Sequence, residues 1–155
     1  PAAKAKPQPA STAPGNYALT ASSPRITGFK VNNKSNGIVL DQAKIFSTGS
    51  AKIKASGRKA LSKLAKVFNS AKYRNNKIRV EGHTDTDPIT RSKSIRDNWE
   101  LSGMRARAVL NYLESKGVSS TRLSFAGYSF HKPFTSDKSK AGKVKNRRVE
   151  ILLFD

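Results

Sequence analysis

Two stretches of this chain repeat their apolar residues at helical spacing, and strand-like stretches lie between and after them. From 55 to 71, Leu61, Leu64, Ala65 and Phe68 recur at steps of three and four, with lysines opposite. That is the buried face of an amphipathic helix. A second helix is predicted over 98–116, burying Leu101, Met104, Ala108, Val109, Tyr112 and Leu113, with Gly117 placed to stop it. Ile78 to Gly82 alternates and reads as a strand; Leu123 to Gly127 and Val149 to Phe154 read as two more. Upstream, Ile38 to Leu40 and Ile45-Phe46 suggest an early strand or a hairpin turning at Asp41-Gln42. His83 to Ile95 is polar, contains Pro88 and reads as a loop, as does the longer basic run from Ser129 to Lys145. The resulting order, β-α-β-α-β-β, predicts an α/β (α+β) two-layer sandwich: a mixed sheet with helices packed on one face. Each β-α-β unit should cross over right-handed.

Residues 1–25 are rich in Pro, Ala, Ser and Lys. They offer too little apolar surface to offset the entropy of ordering, so a linker or flexible arm is expected there and one domain over 26–155. A start at Pro1 without Met suggests a chain cut from something longer. No apolar run approaches the roughly 20 residues that span a bilayer. Cysteine is absent, which excludes disulfides, thiolate metal sites and a cysteine nucleophile.

Lysine and arginine number 30 against 10 acids, a formal charge of +20. The first 36 residues contain no acid, and the excess continues through the rest of the chain. Such a surface attracts polyanions in a salt-dependent way. Nucleic acid is the usual partner of that kind, but there is no zinc-finger spacing, basic heptad or aromatic-rich basic strand to support it.

Five pieces, in order, carry a resemblance. They are Phe46-x-x-Gly49-Ser50, Val80-Glu81-Gly82-His83-Thr84-Asp85, Asn98-x-x-Leu101-Ser102-x-x-Arg105-Ala106, Gly127-Tyr128 with Pro133, and Asn146-Arg147-Arg148-Val149-Glu150. Together they resemble the OmpA-like peptidoglycan-binding domain of Gram-negative bacteria, over roughly Gly37 to Asp155. Thr84-Asp85-x-Asp87-Pro88-Ile89 and Asn98-Trp99-Glu100-Leu101-Ser102 are similar to the periplasmic part of the flagellar motor protein B (MotB) subfamily. Members of that subfamily have an N-terminal membrane helix with a proton-carrying aspartate, and these 155 residues contain neither.

The resemblance implies a non-catalytic module that anchors a parent protein to the cell wall, with no cofactor and no metal. The parent would be a flagellar stator subunit or another envelope protein of the outer membrane or periplasm. The ligand would be peptidoglycan, through the diaminopimelate of its stem peptide. That residue ends in an ammonium and a carboxylate on one carbon. Asp85 would take the ammonium and Arg105 the carboxylate as a two-pronged fork. Helix-start amides near Asn98 to Leu101 would assist through the dipole. Thr84, beside Asp85, is a further candidate contact, Asn98 would hold the loop and Leu101 would wall the aliphatic part. Phe46 and Ser47 are candidates in the first loop, where many members carry an aspartate in place of Ser47. Of Arg147 and Arg148, one would be a buried ion-pair arginine and the other would reach the ligand; Arg148 is included among the candidate contacts. A homodimer and contacts with other motor or envelope proteins follow from the subfamily. So does a periplasmic location, with membrane attachment only through a segment outside these residues.

Competing readings use the same residues. His83, Asp85 and Asp87 alternate, the pattern of metal ligands on a strand, although Pro88 argues against a continuing strand. Glu81, Asp85 or Glu100 could form a carboxylate pair for glycan cleavage, but no hydrolase signature accompanies them. Trp99, the single tryptophan, is expected in the core at the helix entrance, with sugar stacking as the alternative.

Overall fold

The computed structural model describes residues 26–90 and 92–155. The arm expected over 1–25 lies outside the described residues. Among the described residues the elements are, in order, β1 (Lys30–Val31), β2 (Ile38–Asp41), α1 (Gln42–Ile45), α2 (Ala55–Phe68), β3 (Lys77–His83), α3 (Asn98–Ser115), a 3-10 turn (Ser120–Arg122), β4 (Leu123–Gly127), α4 (Lys140–Asn146) and β5 (Arg148–Phe154). They build a mixed five-stranded sheet in the order β1-β2-β5-β3-β4. The last strand is inserted between β2 and β3 and runs antiparallel to both, while β3 and β4 pair in parallel across the α3 crossover.

Both long helices pack on one face. Leu61, Leu64, Ala65 and Phe68 of α2 and Ala106, Val109, Leu110 and Leu113 of α3 meet Ile38, Leu40, Ile78, Val80, Val149, Ile151 and Leu153 in one core. The strand residues among them alternate, as period-two side-chain geometry requires. Gly117, at φ +97°, ends the α3 region where the sequence placed its stop. The opposite sheet face carries a buried polar row. Glu81 of β3 sits directly across from Glu150 of β5. Two facing carboxylates repel, and each is compensated on its own strand: Arg79 Nε donates to Glu81 at 2.9 Å and Arg148 Nε to Glu150 at 2.6 Å.

Three expectations are corrected. Asp41-Gln42 is no hairpin turn: Asp41 ends β2 and Gln42 starts a single helical turn. The run from Ser129 to Lys145 contains α4, started by Ser139, whose hydroxyl accepts from Gly142 N. Its basic sequence has no apolar stripe to announce a helix. Met104 and Trp99 are not core; they are 41% and 54% exposed. The buried face of α3 is Asn98, Leu101, Ser102, Arg105, Ala106, Val109, Leu110 and Leu113. That series keeps strict three-four spacing, and Trp99 and Met104 fall between its members.

Two glycines let α3 lie against the sheet. A Cβ on Gly82 would sit 2.0 Å from the Ser102 carbonyl oxygen, and one on Gly127 would sit 2.5 Å from the Gly103 nitrogen. The helix therefore crosses β3 and β4 at backbone contact, which brings Ser102 and Arg105 to the end of β3.

Candidate functional site

The site forms where β3 runs out. The ladder with the β4 side continues past the strand: Tyr128 N donates to Gly82 O at 3.0 Å and Thr84 N to Ser129 O at 2.9 Å. Thr84 Oγ1 then donates to the Asp85 carbonyl at 2.8 Å, and Asp85 Oδ1 accepts from Asp87 N at 2.9 Å. These bonds hold the Asp85 side chain at the strand end, only 6% exposed. Its other oxygen, Oδ2, accepts from Arg147 Nη1 in an ion pair.

Arg105 arrives from α3 and is 5% exposed. Its Nε donates to the Ser50 carbonyl at 3.0 Å, and its guanidinium lies 5.2 Å from the centre of the Phe46 ring. Burial pulls its pKa down to about 10, the nearby positive Arg147 adds to this, and Asp85 partly opposes it. Among the described residues, its two terminal nitrogens have no protein acceptor. Arg105 is thus charged at neutral pH, fixed through Nε and Phe46, with its fork open. Asp85 pairs with Arg147, while Arg105 feels both charges.

The remaining candidates divide. Phe46 is fully buried and forms the floor beneath Arg105. Ser47 is tied by its backbone, donating to Lys52 O at 2.9 Å. Asn98 Nδ2 donates to Asp87 O at 3.0 Å. The α3 amides expected to help the ligand are in part already taken, since Asp97 caps the helix by accepting from Glu100 N at 2.8 Å. Leu101 lines a cavity of about 530 Å³ between the 48–49 and 88–95 loops. Thr84 and Asp85 line a different one of about 230 Å³, with Phe130, Asp137, Lys143 and Asn146.

Arg148, included among the candidate contacts, is buried and committed inward. Besides Glu150, it donates to Asn146 O at 3.1 Å and to Lys132 O at 2.9 Å. Arg147, half-buried, is the arginine at the site. The signal that separates the two is the strand period: Arg148 and Glu150, two apart, share a face of β5.

His83, the third member of the metal reading, turns to Glu81 at 3.3 Å and stacks on Tyr128 with ring centroids 5.4 Å apart. Among the described residues, no group of three His, Asp or Glu side chains is placed to hold a metal ion. The carboxylates of the hydrolase reading have other commitments. Glu81 is held by Arg79 and His83, Asp85 by Arg147, and Glu100 by the Arg96 backbone and side chain.

The OmpA family model matches residues 45–147. The chain belongs to the OmpA family. It is 42% identical over 77 residues to motility protein B of Bacillus subtilis, covering 49% of this chain and 29% of that protein. The periplasmic domain of Helicobacter pylori MotB superposes with a TM-score of 0.68 at 27% identity, over 76% of each chain. The cell wall anchor of the T6SS from Pseudomonas aeruginosa superposes with a TM-score of 0.70 at 27% identity, over 76% of this chain and 80% of that one. The chain spans 47% of one curated relative and 29% of another, about half their length or less. No helix among the described residues is long and apolar enough to cross a membrane.

Proposed function

We propose that this domain binds the diaminopimelate of peptidoglycan stems and thereby fixes a parent envelope protein to the wall, with a flagellar stator subunit as the parent. The observation that carries the reading is the open fork of Arg105 beside an Asp85 whose ion-pair partner among the described residues is a half-exposed arginine, Arg147. A zwitterionic ligand end fits that arrangement. Its carboxylate reaches the two terminal nitrogens of Arg105, and its ammonium replaces Arg147 on Asp85. The exchange keeps Asp85 paired throughout. Thr84 and Asn98 hold the carboxylate's loop, and Phe46 holds the arginine.

The module acts by holding and not by chemistry, since its buried carboxylates are all paired. Its setting is the periplasmic side of the envelope, as for the MotB periplasmic domain it resembles. Pairing of two such domains in a motor-type homodimer belongs to the same proposal. The basic surface supports wall binding too. Asp41 is the sole acid in the first 80 residues, so α2 and its neighbours face the anionic wall with little internal neutralisation.

The test is co-sedimentation with purified sacculi in the presence of free meso-diaminopimelate. The amino acid should release the domain, and nucleic acid at equal charge should not. Release by nucleic acid alone would overturn the assignment.

A further inference from the structure

The β1 edge of the sheet stops short. β1 pairs with β2 at Lys30↔Val39 and Val31↔Ile38. β2 runs on through Leu40 and Asp41, which pair with Val149 and Arg148 of β5 on one side. On their other side, among the described residues, no strand continues the sheet. The chain before β1 turns off instead: Phe29 N donates to Ile26 O at 3.1 Å. Lys63 of α2 holds that turn. Its ammonium donates to Thr27 O at 2.9 Å and lies 5.6 Å from the centre of the Phe29 ring.

A cleft of about 320 Å³ opens between this turn, β2, α1 and α2. Its apolar lining is Phe29, Val39, Leu40, Ile45 and Ala60. Phe29, Val39 and Ala60 are only half-buried, so part of that lining faces water. Lysines surround it from three elements: Lys30 on β1, Lys44 on α1, and Lys59 and Lys63 one turn apart on α2. Asp41 is the single acid of the lining, and it answers Lys30 at 3.9 Å. Among the described residues, Lys44 and Lys59 have no ion-pair partner.

An apolar hollow rimmed by polar groups marks an interaction site, and the unmatched cations state the charge of its occupant. Nucleic acid and wall polymers bring anions but little apolar surface to fill the hollow. An anionic lipid brings one headgroup, whereas the lysines stand on three sides. The volume is at the lower end of ligand cavities, about 300–1,000 Å³, and suits one or two apolar side chains. The free side of Leu40 and Asp41 adds a sheet edge, where an extended peptide docks by its backbone.

We propose that this cleft docks an acidic segment of a partner protein. The segment seats one or two apolar side chains in the hollow, sets its carboxylates against Lys44, Lys59 and their neighbours, and continues the sheet beside Leu40 and Asp41. Docking here is independent of what the Asp85 site binds. β5 separates β2 from β3 in the sheet, and the cleft shares no lining residue with the cavities at Asp85 and Leu101. The wall and a partner can therefore be held at once.

The probe is a fluorescently labelled peptide of alternating glutamate and leucine, titrated with the full chain and read by anisotropy. A second peptide carries serine in place of leucine and has the same charge. The leucine peptide should saturate at one per chain and bind at least about tenfold tighter than the serine peptide, the scale of one apolar side chain removed from water. Lys59→Glu should weaken it severalfold, and Lys66→Glu, an equal charge change on α2 outside the cleft, should weaken it far less. Ala60→Met fills the hollow without changing charge. It should bring the leucine peptide down to the affinity of the serine peptide, with an unchanged melting temperature. Saturating meso-diaminopimelate should displace neither. Equal binding of the two peptides, or equal effects of Lys59→Glu and Lys66→Glu, would show attraction by charge alone and overturn the proposal. Displacement by diaminopimelate would move the peptide to the Asp85 site and overturn it too. So would absence of peptide binding alongside retention on phosphatidylglycerol vesicles that Lys59→Glu abolishes, which would assign the cleft to lipid.

Discussion

Arg147 Nη1 donates to Oδ2 of Asp85 at the exit of β3, so the acid of the candidate site is neutralised from the residue that joins α4 to β5 and not by the arginine of α3. Arg105 is left with an open fork and a cation for a neighbour, which adds to the depression of its pKa to about 10. A bound carboxylate would relieve that repulsion, and a bound ammonium would substitute for Arg147.

Arg147→Ala should therefore tighten free diaminopimelate. The ligand ammonium would meet an Asp85 with no internal competitor, and a several-fold gain is expected in calorimetry. The melting temperature should fall, because the substitution leaves the nearly buried Asp85 carboxylate without its cation until ligand arrives. A clear loss of affinity would mean that Arg147 itself grips the ligand.

Arg105→Met should not lower the melting temperature. Keeping this guanidinium charged in its buried place costs roughly 3 kcal/mol, judged from its depressed pKa. Methionine removes that cost and loses one hydrogen bond to Ser50 and the contact with Phe46, so the balance should be near zero or stabilising. Wall binding should nevertheless collapse. Early melting would indicate a structural arginine.

Acid should loosen the polar row behind the site. Burial lowers the His83 pKa below its ordinary 6.5, against the opposing pull of Glu81. A base depressed in the folded state binds protons more readily when unfolded, so stability is full above pH ~6.5 and falls as pH drops through the window below it. Melting temperatures between pH 7.5 and 5 should fall for the unmodified chain and fall less for His83→Gln. Equal slopes would show that other groups control this range.

Salt should separate the two sources of wall affinity. At ~0.5 M the screening length is about 4 Å, which suppresses the long-range attraction of the basic surface. Sedimentation with sacculi should weaken and then level off at a residue that free diaminopimelate removes. Complete loss at that salt would mean that charge alone retained the domain.

The long elements were legible because burial imposes their period. Leu61 to Phe68 marked α2, and the alternation of Ile78 and Val80 marked β3. Elements that bury little left no such trace. β1 is two residues, α1 is one turn, and α4 is a basic segment held by the Ser139 cap. Trp99 and Met104 are apolar without being buried. On α3 the inward face near the strand end is polar, with Asn98, Ser102 and Arg105, since the site lies there and not the core. Their spacing from Leu101 and Ala106 carried that information. Asp85 and Arg105 came from the motif resemblance, whereas the partnership of Asp85 with Arg147 depends on how β5 inserts beside β3, a non-local pairing that no local pattern encodes.

The claim that Asp85 and Arg105 act as one recognition unit is tested most directly by a double-mutant cycle read in diaminopimelate binding and melting temperature. Asp85→Asn and Arg105→Ala should each cost ~2–5 kcal/mol of binding, as expected when one ligand charge is left desolvated and unpaired. The second substitution should then add little, and all three variants should remain folded. Single variants that fold normally and bind with unchanged affinity would contradict the site, and so would costs that add in full.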